Sequence, residues 1–280
     1  MKIKRQNKIL YLLLIIFTIA ITASCGGGDE PDTSGSAAIP AIPQGHILDA
    51  NTVALWRLNE VSASSDAVDG TGSYNLAQFG SPDIISGKIG NGRLLDGSTK
   101  FFQRLGDANL GAALNGDWTY EGWVYLDPSF SNPGILFIYN GLAFSFIQSD
   151  TVLAQVSVTS NRKIGWYQWQ NTGAYTEGLS NATLQTGQFY HIAVSRTAMG
   201  GNLYTYRLYV NGVIDTTTTD VAGLDYVVPG ASHYIGLGNY TDIAGFEFGS
   251  AVLNGRLDDT RISKVARSAA EILQSYQRGQ

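Results

Sequence analysis

The sequence has little cysteine and little charge. Its 280 residues include one cysteine, and charged residues make up 15% of the chain. A single cysteine cannot pair within the chain, which excludes a disulfide-stabilised scaffold. Hydrophobic residues make up 44%, which excludes a long disordered chain, because such chains combine low hydrophobicity with high charge. The length is sufficient for a domain with a sizeable hydrophobic core.

An excess of positive charge is also missing. Lys and Arg number 18 against 23 Asp and Glu, so the formal net charge is −5. A nucleic-acid binder needs a basic surface to neutralise phosphates, so we expect no nucleic-acid partner.

The first residues have the pattern of a targeting signal. Four basic residues are followed by the uncharged apolar run Ile9 to Ala23, which is shorter than the ~20 residues of a membrane-spanning helix. Small residues then lead to Cys25, the only cysteine. This arrangement resembles the lipobox of bacterial lipoproteins, although Thr22 stands where the family usually has leucine. The resemblance implies a signal peptide over 1–24 and a lipid on Cys25; the alternative is an ordinary secretory signal with an incidental cysteine.

The segment 25–47 is predicted to be a lipidated flexible tether. It begins with Gly26, Gly27 and Gly28, contains prolines and lacks aromatic residues, so it has little with which to build a core. Without residues 1–24 the formal charge becomes −9, and such a chain depends on its lipid to stay at an anionic membrane. Gly26 after the cysteine implies sorting to the outer membrane under the usual enterobacterial rule. Whether the domain faces the periplasm or the exterior stays open.

From residue 48 onward, short apolar runs alternate with turn residues at the spacing of β-sandwiches. In Trp118 to Leu126, every second residue faces the same side, and Asn211-Gly212 predicts a two-residue hairpin turn. The sequence therefore predicts an all-β, antiparallel sandwich or barrel. Its predicted strands are 53–58, 118–126, 135–139, 142–148, 152–159, 163–170, 190–196, 203–210, 213–218, 233–237 and 255–263.

One helix is predicted at the C-terminus. Ser268 and Glu271 have the spacing of a capping box, Ile272 and Tyr276 follow at helical spacing, and Gly279 is a suitable stop. We expect a short helix packed on an edge of the sandwich.

Seven segments, in order, resemble the laminin-G-like (concanavalin A-like) jelly-roll domains of bacterial surface proteins. They are 54–60, 68–76, 87–97, 119–124, 187–194, 209–212 and 255–272. The last of these resembles the family's closing G-x-I-D-E-V-R-I strand and the helix that follows. The resemblance implies one jelly-roll domain over 48–280.

Glycoside hydrolases of this fold place two carboxylates beside the scissile bond. Laminarinase-like members carry them as E-x-D-x-x-E, a spacing that the domain lacks, and it also lacks a serine nucleophile motif. The histidines His46, His191 and His233 have no partner at metal-ligand spacing, and His191 lies in an apolar strand typical of a core residue. We therefore predict no catalytic residues and no enzymatic activity.

The resemblance also implies a structural Ca²⁺ ion, which requires carboxylate and carbonyl oxygens. Asp258 matches the family's acidic residue in the last strand, and Glu60 and Asp69 near the start of the domain are its predicted co-ligands. The alternative is that Asp258 accepts backbone hydrogen bonds and stabilises the closing strand.

Lys163 to Gln170 is the densest aromatic run. Alternation puts Tyr167 and Trp169 on one face and Trp166 on the other. One face should be core, and the other is a candidate platform for sugar rings. The predicted ligand-binding residues are Trp166, Tyr167, Gln168 and Trp169; the alternative is that both faces are covered.

Together these features predict a membrane-anchored, non-catalytic envelope lipoprotein that recognises a glycan or a protein. Two alternatives stay open. One is a structural component of an envelope or surface assembly without a soluble ligand, and the other is a polysaccharide-degrading enzyme.

Overall fold

The computed structural model describes residues 45–105, 108–141, 151–169, 175–201, 203–219, 233–239 and 251–280. All of them belong to one compact unit, Ile42–Gln280. The predicted signal peptide, Cys25 and the predicted strand 142–148 lie outside the described residues.

Strands dominate the described part of the chain. In order, the elements are β1 (Thr52–Trp56), β2 (Ala77–Phe79), β3 (Asp83–Ser86), β4 (Asn91–Asp96), β5 (Phe101–Leu105), α1 (Ala108–Leu114), β6 (Trp118–Leu126), β7 (Gly134–Gly141), β8 (Thr151–Val158), β9 (Ile164–Trp169), β10 (Tyr175–Leu179), β11 (Phe189–Gly200), β12 (Leu203–Val210), β13 (Val213–Thr219), β14 (His233–Leu237), β15 (Asn254–Ser263) and α2 (Ala269–Arg278).

These strands form two antiparallel sheets. The eight-stranded sheet has the order β13-β12-β11-β6-β15-β4-β3, with β1 also paired to β15. The seven-stranded sheet has the order β10-β9-β8-β7-β14-β5-β2. The predicted antiparallel β-sandwich is therefore confirmed.

The main core lies between the sheets and follows the side-chain alternation of the strands. On β6, Trp118, Tyr120 and Val124 point inward and are buried. Trp166 of β9 stacks on Tyr206 of β12 in the facing sheet, with ring centroids 3.8 Å apart. Burying an aromatic side chain of this size contributes roughly 1.5–3 kcal/mol, so such contacts between sheets stabilise the sandwich.

The turn between β12 and β13 has the predicted geometry. Asn211 has φ 52° and Gly212 has φ 78°. Positive φ at both positions matches the right-handed twist of a two-residue hairpin, and glycine and asparagine tolerate it best.

Helix α2 has the predicted capping box. The Ser268 side chain accepts from the Glu271 backbone N–H, and the Glu271 carboxylate accepts from the Ser268 N–H at 2.8 Å. Rather than only bordering the sandwich, the helix covers part of the outer face of the eight-stranded sheet. Ile272 packs there with Ala193 and Tyr209. Part of this sheet is consequently buried on both faces.

Candidate functional site

The outer face of the seven-stranded sheet at β8, β9 and β10 carries the aromatic run singled out in the sequence. Ile164, Trp166 and Gln168 of β9 are buried toward the facing sheet. Tyr167 lies between them in sequence, points to the opposite side and is half-buried.

Polar residues flank Tyr167 on both neighbouring strands. In the register of the sheet, Gln155 of β8 and Glu177 of β10 lie directly opposite it. Gly165 lies two residues before Tyr167, and a Cβ built on it would be 3.2 Å from Tyr167 Cε2 and 3.3 Å from Leu179 Cδ2. The Tyr167 ring therefore packs against the backbone of Gly165, which has no side chain. We call Gln155, Gly165, Tyr167, Glu177 and Leu179 the edge patch.

The edge patch combines an aromatic ring with an amide and a carboxylate. Binding sites for small molecules have this composition, an apolar or aromatic surface with a few polar groups that fix orientation. A sugar ring offers a C–H face for the aromatic ring and hydroxyl groups for the polar neighbours. Glu177 and Leu179 are exposed.

The middle of the same outer face is covered. Ile138 of β7 lies opposite Gln155, but it is buried and packs with Ile135 and Ala251. The edge patch thus lies at the β10 end of this face, where Glu177 and Leu179 are exposed.

Two of the four predicted ligand-binding residues belong to the core. Trp166 and Gln168 are each 1% exposed, and the Gln168 side-chain oxygen accepts a hydrogen bond from the Tyr206 hydroxyl at 2.5 Å. They are corrected to core residues, because a ligand on the outer face does not reach them. Tyr167 is on the outer face, and Trp169 occupies the position two residues further along the strand, opposite Tyr175 in register.

Two of the predicted Ca²⁺ ligands have their oxygens occupied by the protein. Asp69 accepts hydrogen bonds from the backbone N–H groups of Leu55 at 2.8 Å and Tyr74 at 3.0 Å. Glu60 accepts from the Val68 N–H at 2.9 Å and pairs with Arg93 at 3.1 Å. Backbone N–H groups and the Arg93 guanidinium already occupy the oxygens of these carboxylates, so the two residues do not fit a Ca²⁺ site.

Asp258 is buried and accepts a hydrogen bond from the Ile89 N–H at 2.7 Å. Burial raises the pKa of this carboxyl to about 7, and the nearby charge of Asp259 adds to the effect. The structure thus supplies the backbone hydrogen bond of the alternative interpretation. Ca²⁺ binding stays a prediction from the resemblance alone, and the predicted triplet of Glu60, Asp69 and Asp258 does not fit it.

A second polar cluster lies on the opposite side of the sandwich, under α2. It contains Glu121 of β6, His191 of β11, Asp259 and Arg261 of β15 and, from the segment before β1, His46, all buried. Arg261 donates from Nε to Glu121 Oε2 at 3.1 Å. Sequence reasoning placed His191 in the core but missed Glu121. The sequence signal that could have found Glu121 is its position on β6: it is a charged residue on the same side of the strand as Trp123, and that side faces away from the main core.

Burial and neighbouring charge both act on the pKa values of this cluster. Burial alone raises the pKa of Glu121, but the guanidinium charge and hydrogen bond of Arg261 oppose it, and the pKa is lowered overall, so the carboxyl stays ionised. Burial lowers the pKa of His191 to about 3, so its imidazole is neutral.

The family of this chain is shown by its similarity to a known family model. A laminin G family model, described as the concanavalin A-like lectin/glucanases superfamily, matches residues 96–273. The chain belongs to the concanavalin A-like lectin/glucanase superfamily. The match covers β5 to β15, including the edge patch, whereas the predicted motifs in 54–60 and 68–76 and most of 87–97 precede it.

Several solved structures share the fold of this chain. The receptor binding domain of botulinum neurotoxin C/D mosaic serotype has a TM-score of 0.58 at 16% identity, over 81% of this chain and 51% of that one. Domain 4 of AbnA, an extracellular arabinanase from Geobacillus stearothermophilus solved in complex with arabinotriose, has a TM-score of 0.55 at 16% identity, over 81% of this chain and 98% of that one.

A Trypanosoma rangeli sialidase has a TM-score of 0.56 at 15% identity, over 85% of this chain and 35% of that one. The chain spans about half the length of the neurotoxin domain and about a third of the sialidase. At these identities the likeness shows the fold alone. No curated protein sequence matches the chain.

Proposed function

We propose that this lectin-like domain is a non-catalytic carbohydrate-recognition module, held at the bacterial outer membrane by a lipid on Cys25. The observation that carries the proposal is the edge patch, where the half-buried Tyr167 lies between Gln155 and Glu177 on the outer face of the sandwich. The arabinanase domain of the same fold, solved with arabinotriose, supports a glycan as the ligand.

The charges favour a neutral glycan. The chain has more acidic than basic residues, and Glu177 stands in the patch itself. An anionic polysaccharide would be repelled, whereas a carboxylate accepts hydrogen bonds from the hydroxyl groups of an uncharged sugar. Uncharged oligosaccharides of pentoses or hexoses are therefore the proposed ligand class.

Burial argues against glycoside hydrolysis at the adjacent carboxyls Asp258 and Asp259. Asp258, with its raised pKa, and Asp259 are 0% and 1% exposed, so a polysaccharide does not reach them. The proposal therefore includes the absence of hydrolysis, and release of reducing sugar from a panel of neutral polysaccharides would contradict it.

Tyr167→Ala is expected to weaken glycan binding at least about fivefold, because a stacking ring contributes on the order of 1 kcal/mol or more. Binding would be screened on a glycan array and then measured by calorimetry. Tyr125→Ala is the matched control, since Tyr125 is also half-buried and lies on the outer face of the other sheet. Equal loss in both variants, or no wild-type binding to any glycan, would favour the structural-component alternative.

Cys25→Ser is expected to move the protein from the detergent phase to the aqueous phase in a Triton X-114 partition. Each buried CH₂ of an acyl chain contributes about 0.8 kcal/mol, so losing the acyl chains removes the anchor. Within the described part of the chain, no helix has both the length and the apolarity needed to cross a membrane. Unchanged partition of the variant would argue for the ordinary secretory signal instead.

A further inference from the structure

Three potential metal-ligand atoms meet under α2. His46 Nε2 and His191 Nε2 are 3.2 Å apart, and each is 3.9 Å from Glu121 Oε1. All three side chains are fully buried. Glu121 and His191 come from paired strands, where their positions are diagonal neighbours on one face, and His46 comes from the segment that precedes β1.

Neighbouring groups orient these ligand atoms. Asp259 Oδ2 lies 2.9 Å from His46 Nδ1, and the same carboxylate accepts from the His46 backbone N–H. A proton on Nδ1, the nitrogen near this carboxylate, would leave a lone pair on Nε2. Arg261 takes the other oxygen of Glu121, so Oε1 is left facing the two imidazoles. Metal-binding histidines commonly have such a carboxylate on their second nitrogen.

Hydrogen bonds among these three side chains do not satisfy all of their polar atoms. If one imidazole donates to the other across the 3.2 Å contact, Glu121 Oε1 still has no hydrogen-bond partner. A buried acceptor without a partner is costly and rare. A cation between the three atoms would accept one lone pair from each of them.

The spacing fits a small tetrahedral ion. With Zn–N and Zn–O bonds of about 2.0–2.2 Å, tetrahedral ligand atoms are roughly 3.3–3.5 Å apart. The two imidazole nitrogens, 3.2 Å apart, are within about 0.1 Å of this range, and the carboxylate oxygen would move in by about half an ångström. Two imidazoles and one carboxylate form a ligand set that zinc uses, with water in the fourth position.

We propose that His46, Glu121 and His191 form a buried zinc site that fastens the segment before β1 to the sandwich beneath α2. The backbone carbonyls of His46 and Ile47 accept from Arg57 at 3.0 Å and Arg261 at 2.9 Å, which holds this segment over the site. The ion would then bind where the predicted tether joins the domain.

The test is Co²⁺ and Zn²⁺ binding by the EDTA-treated full chain. Wild type is expected to bind one Co²⁺ with the intense visible spectrum of four-coordinate cobalt, and saturating Zn²⁺ should raise the melting temperature by about 5–10 °C. His46→Gln should reduce the affinity at least about 100-fold, and Asp259→Asn, which removes the carboxylate beside His46 Nδ1 together with its pairing to Arg57, about 10–100-fold. His233→Gln, a histidine on the other sheet, should bind like wild type.

His46→Gln is checked for folding by circular dichroism in EDTA before its affinity is compared. The Co²⁺ spectrum of the wild type tests the proposal even if this variant does not fold. The proposal is overturned if wild type shows no four-coordinate Co²⁺ spectrum at one equivalent, or if folded His46→Gln binds Co²⁺ as tightly as wild type does.

Discussion

Gly255→Ala is expected to destabilise the domain by about 3 kcal/mol or more. Gly255 lies on β15 between β6 and β4, and a Cβ at this position would be 2.1 Å from the backbone carbonyl oxygen of Tyr125. A backbone atom cannot move aside as the end of a flexible side chain can, so the strands themselves must separate. Overpacking of this kind costs about 1–3 kcal/mol, and more where the neighbours are rigid. Urea unfolding followed by tryptophan fluorescence measures the change.

Gly116→Ala is the matched control. A Cβ on Gly116 meets nothing within 4 Å, and its φ is not in the left-handed region. Alanine there should leave stability unchanged or raise it by up to about 1 kcal/mol, through the lower entropy of the unfolded chain. If the free energies of unfolding of Gly255→Ala and Gly116→Ala differ by less than about 1 kcal/mol, the close contact between β15 and β6 is wrong.

Asp258→Asn is expected to stabilise the domain at pH 8 and to change little at pH 4. Burial raises the pKa of Asp258 from 3.8 to about 7. Between these values the folded state keeps a proton that the unfolded state has released. The free energy of unfolding therefore falls as the pH rises through this window, by up to about 4 kcal/mol. Asparagine keeps the shape without the charge and should remove this part of the pH dependence.

Asp96→Asn serves as the control of opposite sign. Backbone N–H groups of Thr99 and Lys100 donate to Asp96 and outweigh its partial burial, so its pKa is lowered to about 2. Its charged form stabilises the folded state above the unfolded pKa of 3.8, so Asp96→Asn should lose stability at neutral pH. Parallel urea titrations at pH 4 and pH 8 measure both variants. A loss of stability for Asp258→Asn at pH 8 would contradict the raised pKa of this buried carboxyl.

The two outer faces of the sandwich differ in what covers them. On the eight-stranded sheet, α2 and the segment around His46 bury the polar cluster of Glu121 and His191. On the seven-stranded sheet, the strands around Tyr167 keep exposed and half-buried residues on the outside. This asymmetry is why we assign glycan recognition to one face and a structural metal to the other.

Periodicity predicted the long strands well, because their alternation is strong. β6 has the predicted bounds, and β9, β12 and β13 agree to within a residue or so. The short strands β2 to β5 and β10 and the helix α1 were not predicted. Their sequences, such as Asn91–Asp96, mix glycine and charge with few apolar residues, and only pairing with neighbouring strands makes them regular.

The sequence by itself determined the antiparallel sandwich, the hairpin at Asn211-Gly212 and the capped C-terminal helix, because alternation, turn chemistry and capping are local properties. It also singled out Tyr167 and Asp258. Only the tertiary structure decided that Trp166 and Gln168 are core, since alternation separates two faces without saying which one the other sheet covers. It alone brought His46 to Glu121 and His191, because residues so far apart in the chain meet only when the sandwich closes.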